Sequence, residues 1–331
     1  MDSSAAGPSL AEASSRFHLP GVSASIAVSD RPTVTFTDGL ADRRHKSPVS
    51  EDTRFRIGSV SKALTSIALV RLIDDGLVDL DAPVQRYVPE FPVTSASPTT
   101  IRHLAAHASG LPHYRMKDFV NRRHYRTSTE ALEKFADRPL LFEPGEGFAY
   151  SSFGWNLLGV ALEAASGLPF DQLMNDIVFS PLGMENTAIE TLTLSHQAKP
   201  YMRLGPAILP APRIDPSDAI PSAGFIATSA DLVCAGRAVA TCDGISASGV
   251  DLLWTETVTT HGEPTGYGVG WHRIEVAGSA GWGHGGSHVG ATALLAVLPE
   301  RRITVAVVTN TNAPSGALTT IAERMIESHA P

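Results

Sequence analysis

Ser59 and Lys62 form the only Ser-x-x-Lys in the 331-residue chain, inside Phe55-Arg56-Ile57-Gly58-Ser59-Val60-Ser61-Lys62. On a helix, positions i and i+3 lie one turn apart on the same face. A serine hydroxyl is a poor nucleophile until a neighbouring base takes its proton. A lysine becomes such a base when desolvation lowers its pKa. At a helix start, Ser59 would also gain exposed backbone N–H groups and the positive end of the helix dipole. The other lysines, Lys46, Lys117, Lys134 and Lys199, stand in polar surroundings, whereas Lys62 is followed by a long apolar run. The competing reading makes Ser59 a plain N-cap and Lys62 a surface side chain with a buried stem.

Two further motifs carry chemistry. Pro144-Gly145-Glu146-Gly147-Phe148-Ala149-Tyr150-Ser151-Ser152 presents Tyr150 after a turn and just before a helical pattern. A phenol beside an ammonium can be held ionised or can relay a proton; otherwise such a tyrosine is structural. Tyr125 is its nearest competitor but lacks the Pro-Gly turn. Trp282-Gly283-His284-Gly285-Gly286-Ser287 lies in a strand pattern. Glycines weaken a strand unless a ligand or another backbone approaches closely, and a glycine-lined edge can offer an N–H to a developing oxyanion. A bulge or tight bend is the alternative there.

These segments need elements to hold them. Residues 9–17 read as a short helix, and 21–38 as a hairpin with Val22, Ala24, Ile26 and Val28 on one face and a turn at 29–32. From Ser59 to about Asp75 the period becomes helical, with Gly76 ending the run. Further helices are expected at Ile101–Ala108, Trp155–Ser166 and Ser229–Val239, and an irregular Pro-rich loop at 200–222. Strands are expected at 267–276, 280–284, 290–298 and 302–309, with a tight turn at 299–301 and a last amphipathic helix at 315–328. Strands at both ends with helices between predict an α/β (α+β) protein. Residues 1–79 and 227–331 would build one antiparallel sheet with its terminal helices, and 80–226 an inserted all-helical domain. The substrate site is expected in the cleft between them.

Composition excludes several classes. The net charge of −8 provides no basic stripe for nucleic acid. No apolar stretch reaches the ~20 residues of a membrane helix. Met1–Ser15 has neither the basic start nor the apolar core of a signal peptide, so the sequence as given reads as cytoplasmic; a leader already removed would look the same. Cys234 and Cys242 read as small buried hydrophobes, with a pairing between them left open. His103 and His107 have the i, i+4 spacing of zinc ligands, but Leu104 stands where the motif needs Glu, so a structural role is expected. Asp79 and Asp81 read as turn and cap residues. His284-Gly285-Gly286 is not the oxyanion motif of an α/β-hydrolase, because the chain has no Gly-x-Ser-x-Gly. No Gly-rich nucleotide loop is present, and no metal or organic cofactor is expected.

In this order, the motifs resemble the serine β-lactamase and penicillin-binding-protein superfamily. The branch with family VIII carboxylesterases, D-amino-acid peptidases and the mitochondrial β-lactamase-like protein fits best. The resemblance spans roughly residues 20–330 and includes Gly76-Leu77-Val78-Asp79-Leu80-Asp81-Ala82-Pro83-Val84, Thr100 to Leu111, Phe142-Glu143-Pro144-Gly145, Tyr150 to Gly154 and Tyr267-Gly268-Val269-Gly270-Trp271. It implies a β-lactamase/transpeptidase-like fold. It also implies that Ser59 is the acylated nucleophile, Lys62 its proton partner and Tyr150 the second acid/base. The oxyanion hole would be the N–H groups of Ser59 and Ser287, and Ser152, His284, Gly285 and Gly286 would contact substrate. Ser152 stands where many β-lactamases have Asn, and His284-Gly285-Gly286 where they have Lys-Thr-Gly. A neutral imidazole holds a carboxylate less firmly than a lysine. The expected activity is therefore a carboxylesterase acting on short-chain esters, with weak β-lactam hydrolysis. A D-amino peptidase or transpeptidase, a β-lactamase, an acyltransferase and an idle scaffold of the same fold are the rivals. The partner is a small ester, peptide or lactam; oligomeric state is left open.

Overall fold

The first strands follow the alternation of the sequence. The computed structural model describes residues 6–93, 95–115, 118, 122–191, 196–205 and 207–329. After helix α1 (Ala6–Phe17), β1 (Gly21–Val28) and β2 (Val34–Asp42) form the expected hairpin, followed by the short strands β3 (Ser47–Pro48) and β4 (Phe55–Arg56). Helix α2 (Val60–Asp74) starts just after Ser59. Gly76 follows its end in the left-handed region (φ +71°), where a glycine carries no Cβ penalty.

The middle segment departs from expectation in three places. Helix α3 (Ile101–Ala105) stops three residues early, because His107 takes a left-handed backbone (φ +59°) and turns the chain. After α4 (Ser152–Ser166) and α5 (Phe170–Met174), strand β5 (Ala188–Ile189) joins a small sheet, so this segment is not all-helical. The Pro-rich stretch expected to be irregular contains the ribbon β6 (Tyr201–Leu204) and β7 (Ala207–Pro210), then α6 (Ile220–Ala223). Strand β8 (Phe225–Ala227) pairs with β4 on one side and β5 on the other.

Helix α7 (Ser229–Thr241) follows, then α8 (Ala247–Trp254), which begins where Ser246 accepts the Gly249 N–H at 2.9 Å. The closing strands are β9 (His272–Val276), β10 (Ser279–His288), β11 (Ala291–Leu298) and β12 (Ile303–Thr309), and helix α9 (Ala317–His329) ends the described chain. Strand β9 is shorter than expected, since Gly270 bends the backbone at φ +75°. The main sheet is antiparallel in the order β3-β2-β1-β12-β11-β10-β9. Chain start and chain end therefore meet in its centre, where Ile26 pairs with Val305 and Ala24 with Val307. Cys242 is exposed at the left-handed end of α7 rather than buried, and both it and the half-buried Cys234 are free thiols.

Both faces of the sheet are covered. Val22, Ala24 and Ile26 pack with Val305 and Val307 against Leu10 of α1 and Leu318, Ile321 and Met325 of α9. Burying each such branched side chain stabilises by about 1.5–3 kcal/mol. Ser23 and Ser25 face the other way and are buried too, each 2.7 Å from the Ser229 hydroxyl at the start of α7. Helix α2 lies within the second core; of its residues only Arg71, Ile73 and Asp74 escape burial. It is a helix apolar on all sides, which belongs inside a protein, and it carries Lys62 in with it.

Strand β10 approaches the start of α2 through two glycines. A Cβ on Gly286 would sit 1.9 Å from the Ile57 carbonyl oxygen, and one on Gly58 (φ +50°) would lie 2.7–2.8 Å from the Ser287 backbone. Only bare backbone fits there, and the fit sets Ser287 beside the residue preceding Ser59. At Gly285 the same added Cβ meets nothing within 4 Å. Gly286→Ala is expected to destabilise by about 1–3 kcal/mol through overpacking, seen as a melting temperature several degrees lower. Gly285→Ala should melt with the parent protein. Equal melting of the two variants would refute this account of the contact.

Candidate active site

The Ser59 side chain does not cap α2. The residue stands at the N-cap position in a helical conformation (φ −64°, ψ −9°), with no capping bond from its side chain. Its hydroxyl lies 3.2 Å from Lys62 Nζ and is hydrogen-bonded to Tyr150. Lys62 is not a surface side chain but fully buried. Its Nζ donates to the Ser222 carbonyl at 2.9 Å and lies 3.1 Å from Ser152 Oγ. Among the described residues it has no carboxylate partner. Desolvation without a compensating anion drives its pKa well below the ordinary 10.5. A neutral amine has two N–H groups and one lone pair. The Ser222 carbonyl must take one N–H. The two serine hydroxyls share the other N–H and the lone pair, which leaves the lone pair able to accept the Ser59 proton.

Tyr150 arrives from the turn before α4, which Ser151 caps by accepting the Gly154 N–H at 3.1 Å. Its ring lies 4.9 Å from Lys62 Nζ. Burial raises its pKa well above the ordinary 10.0, with the Ser59 hydrogen bond opposing in part. Burial thus favours the neutral form of both the amine and the phenol, which meet on one serine.

A cleft of about 800 Å³ opens on this group, lined by Ser59, Ser152, Gly285, Gly286 and Ser287 among others. Met202 and Ile214, from and beside the unforeseen β6–β7 ribbon, form part of its apolar wall. Asp118 and Asp218 also line it, but Arg138 and Lys134 pair with them.

His284 is brought to the cluster but not to the cleft. It is 2% exposed, its Nδ1–H donates to the Gly285 carbonyl at 2.6 Å, and its Nε2 accepts from the Tyr267 hydroxyl at 3.0 Å. Burial, then the nearby Lys62, depress its pKa far below 6.5. The sequence reading put its imidazole on substrate; in the structure the ring is buried, packed 6.2 Å from the Tyr150 ring and 6.0 Å from the Tyr267 ring.

Several neighbours carried no usable sequence signal. His113 lines the cleft, accepts the Ser152 N–H on Nδ1 at 3.2 Å and is lowered to about 4 by burial and by Lys62. Ser222 acts through its carbonyl, which any residue type supplies. Arg56 grips Glu190 through three contacts of 2.7–2.8 Å and donates to the Val289 carbonyl at 2.9 Å, fastening the β10–β11 turn to β4. His103 and His107 do not form a zinc-like face. The helix ends between them, and His103 caps its start with Thr100.

A mixed α/β fold with a Ser-Lys-Tyr cluster at the head of a buried helix defines the serine β-lactamase and penicillin-binding-protein class. The chain matches the family described as Beta-lactamase over residues 10–329 and belongs to it. It is 35% identical over 179 residues to Esterase EstB of Burkholderia gladioli, a match covering 49% of this chain and 45% of the esterase. With Penicillin-binding protein 4* of Bacillus subtilis it shares 28% identity over 251 residues, covering 70% of this chain and 55% of that protein. The chain thus spans about half the length of these two relatives. The D-amino acid amidase of Ochrobactrum anthropi superposes with a TM-score of 0.85 at 22% identity, over 98% of this chain and 97% of that one. Among the described residues, no helix is long and apolar enough to cross a membrane.

Activity that needs neutral Lys62 is lost as pH falls through the lysine's lowered pKa. The kcat/KM for an uncharged ester is expected to reach its plateau well below pH 10.5 rather than climbing all the way to it. A profile still rising at pH 10.5 would show a lysine of ordinary basicity and sink the assignment.

Proposed function

We propose that this chain is a serine carboxylesterase that works through an acyl-enzyme on Ser59, prefers short-chain esters and turns over β-lactams weakly. The observation that carries the reading is the Ser59 Oγ–Lys62 Nζ distance of 3.2 Å with the lysine buried and unpaired by any carboxylate among the described residues. Lys62 takes the hydroxyl proton as Ser59 Oγ bonds to the ester carbonyl carbon. The N–H groups of Ser59 and Ser287 hold the oxyanion, each such donor contributing about 3–4 kcal/mol. As the tetrahedral species collapses, the phenol proton of Tyr150 passes to the leaving alkoxide, and the proton on Lys62 returns to the phenolate. Water then attacks the acyl carbon and gives its proton to the Lys62–Tyr150 pair, which returns one to Ser59 Oγ as the carboxylic acid departs. No step needs a metal or organic cofactor.

The preference for esters is supported by His284. Neutral and engaged with Tyr267, it offers no cation to a substrate carboxylate of the kind penicillins carry. The likeness to an esterase points the same way.

A fluorophosphonate is expected to leave its adduct mass on the peptide containing Ser59, and Ser59→Ala should abolish both labelling and p-nitrophenyl ester turnover. Lys62→Ala should cost about 10²–10⁴ in kcat/KM, the usual span for general acid–base catalysis. A label on another peptide would overturn the nucleophile. Nitrocefin or D-peptide turnover exceeding ester turnover would overturn the ester preference.

A further inference from the structure

His107 is a buried titratable group outside the proton path above, yet it touches both sides of Tyr150. It is 1% exposed. Its carbonyl accepts the Ala149 N–H at 2.9 Å, and its Nδ1 accepts the Ser151 N–H at 2.9 Å. The two peptide N–H groups flanking Tyr150 are thus tied to one residue. The imidazole also stacks on the phenol ring, with centroids 4.2 Å apart and planes 33° apart, and the Tyr267 ring stands steeply against it at 4.6 Å.

These contacts come with local costs. A backbone N–H can only donate, so Nδ1 carries no proton and the neutral ring has its hydrogen on Nε2. Among the described residues Nε2 has no hydrogen-bond partner, and the backbone is left-handed without a glycine. Buried orphan donors and such backbone strain cluster at functional sites. Protonation would remove the Nδ1 acceptor, and burial above all holds the ring neutral.

We propose that His107 is the positioning residue of Tyr150, clamping the peptides on either side of it and supporting its ring so that the hydroxyl stays on Ser59. This rests on the reading of Tyr150 as the second acid/base. A loss of about 1 Å in placement can cost roughly 100-fold in rate.

The test is a double-mutant cycle on the whole chain, with kcat and KM for a p-nitrophenyl ester and the melting temperature measured side by side. His107→Ala should lower kcat about 100-fold with KM within about threefold. His107→Asn tolerates the left-handed backbone and keeps an acceptor for Ser151, so it should recover part of that loss. In a Tyr150→Phe background, His107→Ala should cost less than about threefold more, because the two residues act as a unit. The same factor lost in both backgrounds, or kcat near that of the parent in His107→Ala, would overturn the proposal and leave the role of Tyr150 standing. Full activity of Tyr150→Phe alone would overturn the parent reading and this one with it. Should His107→Ala fail to fold, His107→Asn and His107→Phe complete the same cycle. Asn keeps the acceptor without the ring and Phe the ring without the acceptor; the same factor lost in both backgrounds by either variant, or parent-level kcat for both variants when Tyr150 is present, would overturn the proposal.

Discussion

The site depends on a lysine buried, among the described residues, without an anion. A surface ammonium would be protonated and useless as a base, and a carboxylate neighbour would hold it charged. Helix α2 avoids both by being buried almost throughout, and among the described residues Lys62 hydrogen-bonds to a carbonyl and two hydroxyls and lies over the Tyr150 ring. The arrangement costs stability. A base whose folded pKa lies below its unfolded value binds fewer protons when folded. Between the two values the unfolded lysine keeps the proton that the folded one gives up, so this group opposes folding. Its penalty shrinks as pH rises toward 10.5.

Around that lysine the fold gathers pieces far apart in the chain. Ser59 and Lys62 come from the head of one helix, Ser152 from the start of another, the Ser222 carbonyl from a single turn, and Ser287 from the β10–β11 hairpin toward one edge of the sheet. Three contacts fix their mutual distance: the Gly58–Ser287 and Gly286–Ile57 backbone approaches, and the Arg56 fork that joins Glu190 to Val289. Arg56 and Glu190 are both nearly buried. Removing one partner of such a pair costs about 3–5 kcal/mol, so the clamp is sensitive at either end.

Much of this could be read from residue order. The Ser-x-x-Lys run, the tyrosine after Pro-Gly and the glycine-lined strand all converge in the structure, because each is marked by residue type, a side chain or the lack of one. The terminal strands and helices were equally legible from their periodicity. What escaped the sequence follows from the backbone or from tertiary bonding. The Ser222 carbonyl has no residue signature. The β6–β7 ribbon hides among prolines and is held by remote partners, with Tyr201 N–H donating to Asn310 and the Arg43 guanidinium to the Ile208 carbonyl. The helical pattern through His107 ran past the point where the backbone turns over. The type of His284 suggested a ligand contact, whereas its burial and its bond to Tyr267 come from tertiary packing that residue type does not signal.

The wall containing Met202, Pro212 and Ile214 belongs to a stretch of chain separate from every group on the proposed proton path. On the proposed reading, proton handling and this part of the cleft wall are therefore carried by separate stretches of chain. Drift in the ribbon and the loop after it can retune which acyl group is accepted while the reactive serine keeps its chemistry. That division gives one scaffold a physical route to both esterases and amidases without rebuilding its catalytic centre.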